Sequence, residues 1–128
     1  MKIGIPDFDK VEVGYEALPP ATYSALVTGC EAKKGKEKGT PYIGWEFTIQ
    51  GPTHNGRKIF ENTGYADAKS QPFTKRLVVG CGATFDNGGF NTEDCLGKRV
   101  EVVLGQALND RVTPNRMDNT IDKISPLA

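Results

Sequence analysis

Apolar and polar residues alternate along three early segments of the chain, which is the pattern of half-buried β-strands. The segments are Thr22–Lys33, Tyr42–Gln50 and Arg57–Tyr65. Gly29 suggests a bulge within the first segment, and a turn rich in glycine and proline at residues 51–56 separates the second from the third. The pattern therefore predicts an antiparallel meander of three strands.

The period of the pattern changes between Ser70 and Gly82. Four apolar residues of this segment fall on one helical face, which predicts an α-helix that ends at the glycine. These residues are Phe73, Leu77, Val78 and Cys81. One helical turn and two more strands complete the prediction, at Asn91–Gly97, Arg99–Leu108 and Thr120–Ser125.

The order of these elements is three strands, a helix and two strands. This is the order of the OB-fold, a five-stranded Greek-key barrel with a helix between strands 3 and 4, although other small β-barrels and α+β domains share it. We expect a mainly β, OB-fold-like domain at residues 21–128. Residues 1–20 form an N-terminal arm that ends at Pro19-Pro20 and includes a short candidate edge strand at residues 11–13.

The formal net charge is zero, so total charge does not indicate a nucleic-acid partner. The charge distribution is more informative. Residues 33–76 carry nine basic and four acidic groups, a net charge of +5, whereas residues 1–32 carry −3 and residues 77–128 carry −2. A local cationic patch can attract an anion even when the whole chain is neutral.

The basic residues of two predicted loops fall on either side of the most aromatic strand. The first loop contains Lys33, Lys34, Lys36 and Lys38, and the second contains Arg111 and Arg116. In an OB-fold, oligonucleotides lie across strands 2 and 3 between the corresponding loops. Cations that follow phosphates and rings that stack on bases are what a single-stranded nucleic-acid binder needs. The candidate nucleic-acid-binding residues are Lys33, Lys34, Lys36, Lys38, Tyr42, Trp45, Arg57, Lys58, Phe60, Tyr65, Arg111 and Arg116.

The choice of stacking rings depends on which faces of strands 2 and 3 are exposed. Alternation favours an interior position for Trp45, because its face also carries Ile43, Phe47 and Ile49. A hairpin that pairs Gln50 with Arg57 sets Tyr42 opposite Tyr65 as a platform and turns Phe60 inward. A slip of one residue exposes Phe60 instead. Two glutamates on the expected outer face would repel phosphates, namely Glu46 and Glu61.

The sequence contains no signature of catalysis. We find no GxSxG, Walker or HExxH motif, and His54 is the only histidine. Three separated cysteines without a CxxC pair favour neither a zinc site nor a disulfide framework, and they suit a reducing cytoplasm. No stretch has the length of a membrane span. We therefore expect a non-enzyme with no catalytic residue, no metal site and no cofactor.

Five stretches of the chain carry a family resemblance. They are Pro20–Tyr23, Cys30–Gly51, Gly56–Asn62, Leu96–Leu104 and Asn119–Pro126. With these motifs, the chain resembles a family of small phage-encoded proteins that are often catalogued as a domain of unknown function. Some members are described as single-stranded DNA-binding OB-fold proteins. The resemblance implies binding of single-stranded DNA during phage replication or recombination, in the host cytoplasm. The chain lacks the acidic tail with which such proteins commonly recruit partners.

We therefore expect a non-catalytic single-stranded DNA-binding protein. Phage replication or recombination proteins are further expected partners, and the sequence leaves a homodimer open. Two alternatives are an OB-like protein-interaction module, which would bind a partner by strand addition at an open sheet edge, and a virion structural component.

Overall fold

The computed structural model describes residues 1–10, 16–36 and 39–127, apart from the side chain of Lys10. Two expectations from the sequence lie outside these residues, namely the edge strand at residues 11–13 and the contribution of Lys38 to a binding site. Within the described part of the chain, no helix is long and apolar enough to cross a membrane.

The predicted strands and helix are present, with small changes in their bounds. The strands are β1 (Ala21–Lys34), β2 (Pro41–Gln50), β3 (Lys58–Gly64), β4 (Phe85–Asp86), β5 (Gly89–Phe90), β6 (Arg99–Asn109) and β7 (Arg116–Pro126). The helix α1 spans Gln71–Cys81, and two short 3₁₀ helices span Phe8–Lys10 and Thr92–Asp94. The hairpin of β4 and β5 was not predicted. Strand β7 also begins earlier than expected, so Arg116 opens a strand and does not lie in a loop.

Five of the strands form one antiparallel sheet in the order β3-β2-β1-β6-β7. Strand β1 is central, since it pairs with β2 on one side and with β6 on the other. The register of β1 against β2 shifts between Val27 and Gly29, which confirms the predicted bulge. A Cβ built on Gly29 would lie 2.8 Å from the Cβ of Glu46, so glycine permits the close approach of the two strands at this bulge.

The core lies on one face of this sheet and beneath α1, which contacts β3, β6 and β7. The large residues of β2 point into it as predicted: Ile43, Trp45, Phe47 and Ile49 are all buried. The prediction for α1 was wrong at Phe73, which is 60% exposed. Thr74 is buried instead, because the packed stripe follows the spacing 74, 77, 78 and 81.

Two glycines set the position and the end of α1. Gly80 is buried against β7, and a Cβ added there would collide with the side chain of Ile124. Gly82 ends the helix in the left-handed conformation, with φ of 74°, and its N–H bonds to the carbonyls of Val78 and Val79. The helix is thereby held close to the edge strand β7.

The segment before β1 contributes to the core through Leu18, which is 1% exposed. The N–H of Leu18 donates to Asn119 Oδ1 at 2.8 Å. Its carbonyl accepts from Asn119 Nδ2 and Gln106 Nε2, each at 2.9 Å. Asn119 lies on β7 and Gln106 lies on β6. Leu18, which was expected to belong to the N-terminal arm, is therefore hydrogen-bonded to the β6–β7 pair.

Candidate nucleic-acid interface

The turn between β2 and β3 decides which residues reach the outer face of the sheet. Gly56 N–H donates to the carbonyl of Ile49, and Ile49 N–H donates to the carbonyl of Arg57, each at 2.8 Å. The turn therefore closes on Ile49 and not on Gln50, which shifts the register of β3 by one residue from the expected pairing.

This register exposes Phe60 on the outer face, where it lies opposite Glu46 and is 66% exposed. The inward position expected for Phe60 was wrong, and the alternative that a slip of one residue exposes it is confirmed. Ile59 and Thr63 fill the inner face of β3. Tyr42 lies opposite Gly64, so the predicted platform of paired tyrosines is also wrong.

A lysine and a tyrosine lie together at the end of β1 and β2. Lys33 is opposite Tyr42 in the ladder. A Cβ built on Gly44 would lie 3.1 Å from Lys33 Cε and 3.3 Å from its Nζ, so this side chain extends across the glycine. With Lys58 and Phe60 on the neighbouring strand, these residues form a mixed cationic and aromatic surface. We call it the outer face, defined by Lys33, Tyr42, Gly44, Glu46, Lys58 and Phe60.

The carboxylate of Glu46 on this face is compensated by its neighbours. Thr28 Oγ1 donates to Glu46 Oε2 at 2.7 Å, and Lys58 Nζ lies 3.3 Å from Oε1. The Thr28 hydroxyl, with smaller contributions from Lys58 and Lys33, lowers the pKa of Glu46. The second glutamate is not on this face. Glu61 lies opposite Trp45 on the inner side and is half-buried, which corrects the expectation of two outer acids.

The inward position of Glu61 has a consequence for stability against pH. Burial raises the pKa of Glu61, and the nearby Arg76 guanidinium only partly opposes this effect. Because the pKa of Glu61 is raised in the folded state, its contribution to the free energy of unfolding is favourable at low pH, where the carboxyl is neutral. This contribution is lost as pH rises through the folded-state pKa. We therefore expect Glu61→Gln to raise the thermal unfolding midpoint at neutral pH. The gain should shrink as pH falls towards about 4.

Glu46→Gln is the matched control in the same thermal unfolding series. The folded pKa of Glu46 is lowered, so its stabilising contribution is present above the ordinary glutamate pKa and is lost as pH falls. This variant should lower the unfolding midpoint at neutral pH. A shift of the same sign in both variants would contradict the opposite environments of the two glutamates.

The other predicted cations are spread along the molecule. Arg57 Nη2 donates to the carbonyl of Glu16, so this side chain is bonded to the N-terminal segment. Arg116 pairs with Asp118, with Nε 2.8 Å from Oδ1.

Arg111 is exposed in the turn between β6 and β7. Only the first residues of β1 pair with β6, so the turn between β6 and β7 lies beyond the start of β1, whereas the turn between β1 and β2 lies beyond its end. Lys34 and Lys36 are exposed near the end of β1.

Trp45 is 1% exposed, so it is a core residue and not an exposed stacking ring. Its Nε1 donates to Thr63 Oγ1 at 2.8 Å. Its ring stacks on Phe47 at 6.3 Å between centroids and on Phe90 at 6.4 Å. The stack therefore runs from the core to the β4–β5 hairpin.

A groove of about 980 Å³ lies between α1 and the β4–β5 hairpin. Tyr65 faces this groove and not the outer face, since it shares the lining with Ile43. Phe85 and Phe90 line it from the hairpin. The sequence signal that would have found this hairpin is Asn87-Gly88, the favoured pair for a two-residue turn, between two aromatic residues.

The three cysteines are distant in sequence but meet in the core. Cys30, Cys81 and Cys95 are free and buried. The interaction with Cys95, together with burial, raises the pKa of Cys30 and Cys81 well above the ordinary thiol range. Those two thiols are therefore neutral packing groups. Among the residues that the structure describes, no cluster of histidine, cysteine or acidic side chains could hold a metal ion.

The fold and the outer face define a mainly β domain with a five-stranded antiparallel sheet, a packed helix and an exposed cationic and aromatic surface. The family described as "Protein of unknown function (DUF669)" matches residues 6–115, and the chain belongs to this family. That description names no ligand and no activity. No curated protein matches the chain.

Proposed function

We propose that this protein is a non-catalytic single-stranded DNA-binding domain whose binding surface is the outer face. The observation that carries this proposal is the position of Phe60. A phenylalanine that is 66% exposed in a strand interior leaves a large apolar ring in water. Bases stack on such rings, and Lys33 and Lys58 of the same face would follow the phosphates of that DNA strand.

The topology supports an OB-type barrel as the finer description of the fold. Strand β1 pairs with two partners, and α1 lies between β3 and β6 in the chain. The edge strands β3 and β7 contact each other, and α1 packs against both. We propose that these contacts close a Greek-key barrel. Its strands β2 and β3 would then present the face on which OB-folds bind oligonucleotides.

The charge of the outer face also supports a polyanionic ligand. Glu46 is bonded to Thr28 and Lys58, so its negative charge is offset within the protein. Because Lys58 offsets Glu46, Lys33 gives the face its net positive charge, and Lys34 and Lys36 follow it at the end of β1. Each phosphate contact steepens the salt dependence of single-strand binding by roughly 0.7 in the log–log slope. Binding should therefore be strongest at low salt.

The resemblance to phage-encoded single-stranded DNA-binding proteins supplies a setting for this activity. Within the proposal, the protein coats or guides single-stranded DNA during phage replication or recombination, in the host cytoplasm. Replication or recombination proteins would be its further partners.

Phe60→Ala tests the proposal. We expect this change to weaken binding of a labelled oligo-dT by about tenfold, because one base loses its stacking partner. Fluorescence anisotropy at low and moderate salt measures the dissociation constant and its salt slope. Phe73→Ala is the matched control, since Phe73 is similarly exposed but lies on α1, away from the outer face. Equal weakening in both variants would count against a stacking site at Phe60.

The second candidate function is a protein-interaction module. The hydrogen-bonded order of the sheet ends at β3 and β7, and an edge strand can accept a partner strand. Failure of the wild-type protein to bind oligo-dT at low salt would favour this candidate. Stable self-assembly without nucleic acid would instead indicate the virion structural role.

A further inference from the structure

We infer that the groove between α1 and the β4–β5 hairpin is a second binding position, which takes an unstacked base of the same single strand of DNA. The inference rests on the proposed function, because the strand reaches the groove from the outer face. The groove is defined by Tyr65, Gln71, Lys75, Phe85, Asn87 and Phe90 among its lining residues.

The size and chemistry of the groove suit a planar base. Its volume of about 980 Å³ lies at the upper end of the range for small-molecule sites. Tyr65, which follows β3, and Phe85 of the hairpin are partly exposed rings in its lining, and Phe90 is more buried, stacked on Trp45 at an interplanar angle of 11°. Asn87 adds a side-chain amide, a group that bonds to base edges, and Gln71 adds a second amide whose Nε2 is bonded to the carbonyl of Tyr65 at 3.1 Å.

The groove and the outer face meet at the same end of the sheet. The ladder pair Ala32 and Ile43 lines the groove, and the next pair along, Lys33 and Tyr42, belongs to the outer face. Tyr65 follows Gly64, which lies opposite Tyr42. Phe60 and Tyr65 are five residues apart, or roughly 17 Å along an extended strand. A short run of nucleotides could therefore pass from the first ring to the groove.

The charges near the groove permit a phosphate to follow the base. Lys75 Nζ lies 5.4 Å from the centre of the Phe85 ring, so a cation stands beside the stacking surface. Asp86 is the acidic residue in the lining, and its Oδ1 accepts a bond from Gly88 N–H at 2.8 Å within the turn. Lys33 belongs to the outer face and lies in the ladder pair next to the groove, where the connecting phosphates would pass.

The aromatic stack gives the groove its own optical signal. Trp45 is the single tryptophan, and it is buried behind Phe90. A base that packs on Phe90 changes the surroundings of this stack without contacting Trp45. Emission from Trp45 should therefore respond to DNA that fills the groove and not to DNA held by the outer face alone.

The test uses oligo-dT of about four and about twelve nucleotides, which are within the range of site sizes for one OB fold. Phe85→Ala and Tyr65→Ala are expected to weaken binding of the longer oligonucleotide by about tenfold and to leave the shorter one unchanged. Phe60→Ala should weaken both. Trp45 emission should change only with the longer oligonucleotide. Phe73→Ala is again the control, and circular dichroism establishes that each variant is folded.

The outcomes separate this inference from the proposed function. If Phe60→Ala weakens binding while both groove variants bind the longer oligonucleotide as the wild type does, the groove inference is overturned and the outer face stands. If Phe85→Ala and Tyr65→Ala weaken binding while Phe60→Ala does not, the groove binds DNA, and both the outer face and the path from it to the groove are overturned. If the wild-type protein binds neither oligonucleotide, both are overturned.

Discussion

Replacing Thr63 by valine is expected to lower the free energy of unfolding by about 1–3 kcal/mol, because it leaves a buried indole N–H without an acceptor. Thr63 is buried on β3, and its Oγ1 accepts from Trp45 Nε1 at 2.8 Å. The hydroxyls of Thr63 and Thr74 lie 2.7 Å apart, and Thr74 Oγ1 donates to the carbonyl of Gly64 at 2.6 Å. The chain of bonds joins β2, β3 and α1.

Valine has the shape of threonine, so Thr63→Val removes the bonds with little change in packing. Chemical unfolding followed by Trp45 fluorescence measures the loss. Thr63→Ser is the control, because it keeps the hydroxyl and removes only a methyl group, at a cost of about 1 kcal/mol. A valine variant as stable as the serine variant would show that this buried network contributes little to the fold.

The network also bears on the proposed binding surface. Thr63 and Phe60 lie on opposite faces of the same short strand, and the inward bonds of Thr63 hold that strand in its register. Loss of the register would turn Phe60 inward and remove the exposed ring. The stability of the core and the position of the stacking residue are therefore linked through β3.

Replacing Leu18 by alanine is expected to cost about 3 kcal/mol of unfolding free energy, within the range for large-to-small changes in a core. Leu18 is 1% exposed, although it precedes the first strand and two prolines. Its backbone N–H and carbonyl are both bonded to Asn119, which keeps the side chain in place over the β6–β7 pair. Alanine would leave a cavity that this bonded backbone cannot readily fill.

Thermal and chemical unfolding of Leu18→Ala measure this cost. Ile5→Ala is a matched control from the same N-terminal region, because Ile5 is about half exposed and its loss should change stability by no more than about 0.5 kcal/mol. Similar results for the two variants would mean that the folded unit begins after Leu18, as the sequence alone suggested.

Much of the element pattern could be predicted from periodicity. The interior residues of β2 alternate strictly, and Gly82 ends α1 as its position indicated. Phe73 was misplaced because it lies beside the apolar stripe of α1 without belonging to it. A one-residue error in the turn after β2 had a larger effect on the predicted surface, because adjacent residues of a strand point to opposite faces of the sheet. That error reversed the expected positions of both Phe60 and Glu61.

The candidate site was predictable only in part for the same reason. Lys33, Tyr42 and Lys58 were named from sequence, and they lie on one face with Phe60. Tyr65 was expected on the outer face but lines the groove. The groove also depends on Phe85 and Phe90, which belong to a hairpin distant along the chain. Local patterns contain no information on how that hairpin packs against α1.

The sequence by itself determined the class of the fold, since alternation and helical period follow from which side chains must leave water. It also determined the bulge at Gly29 and the buried position of Trp45. The tertiary structure alone decided the strand register, the docking of Leu18 and the meeting of α1 with the β4–β5 hairpin. These features depend on contacts between residues far apart in the chain, such as Leu18 with Asn119 and Trp45 with Phe90, and no local pattern encodes them.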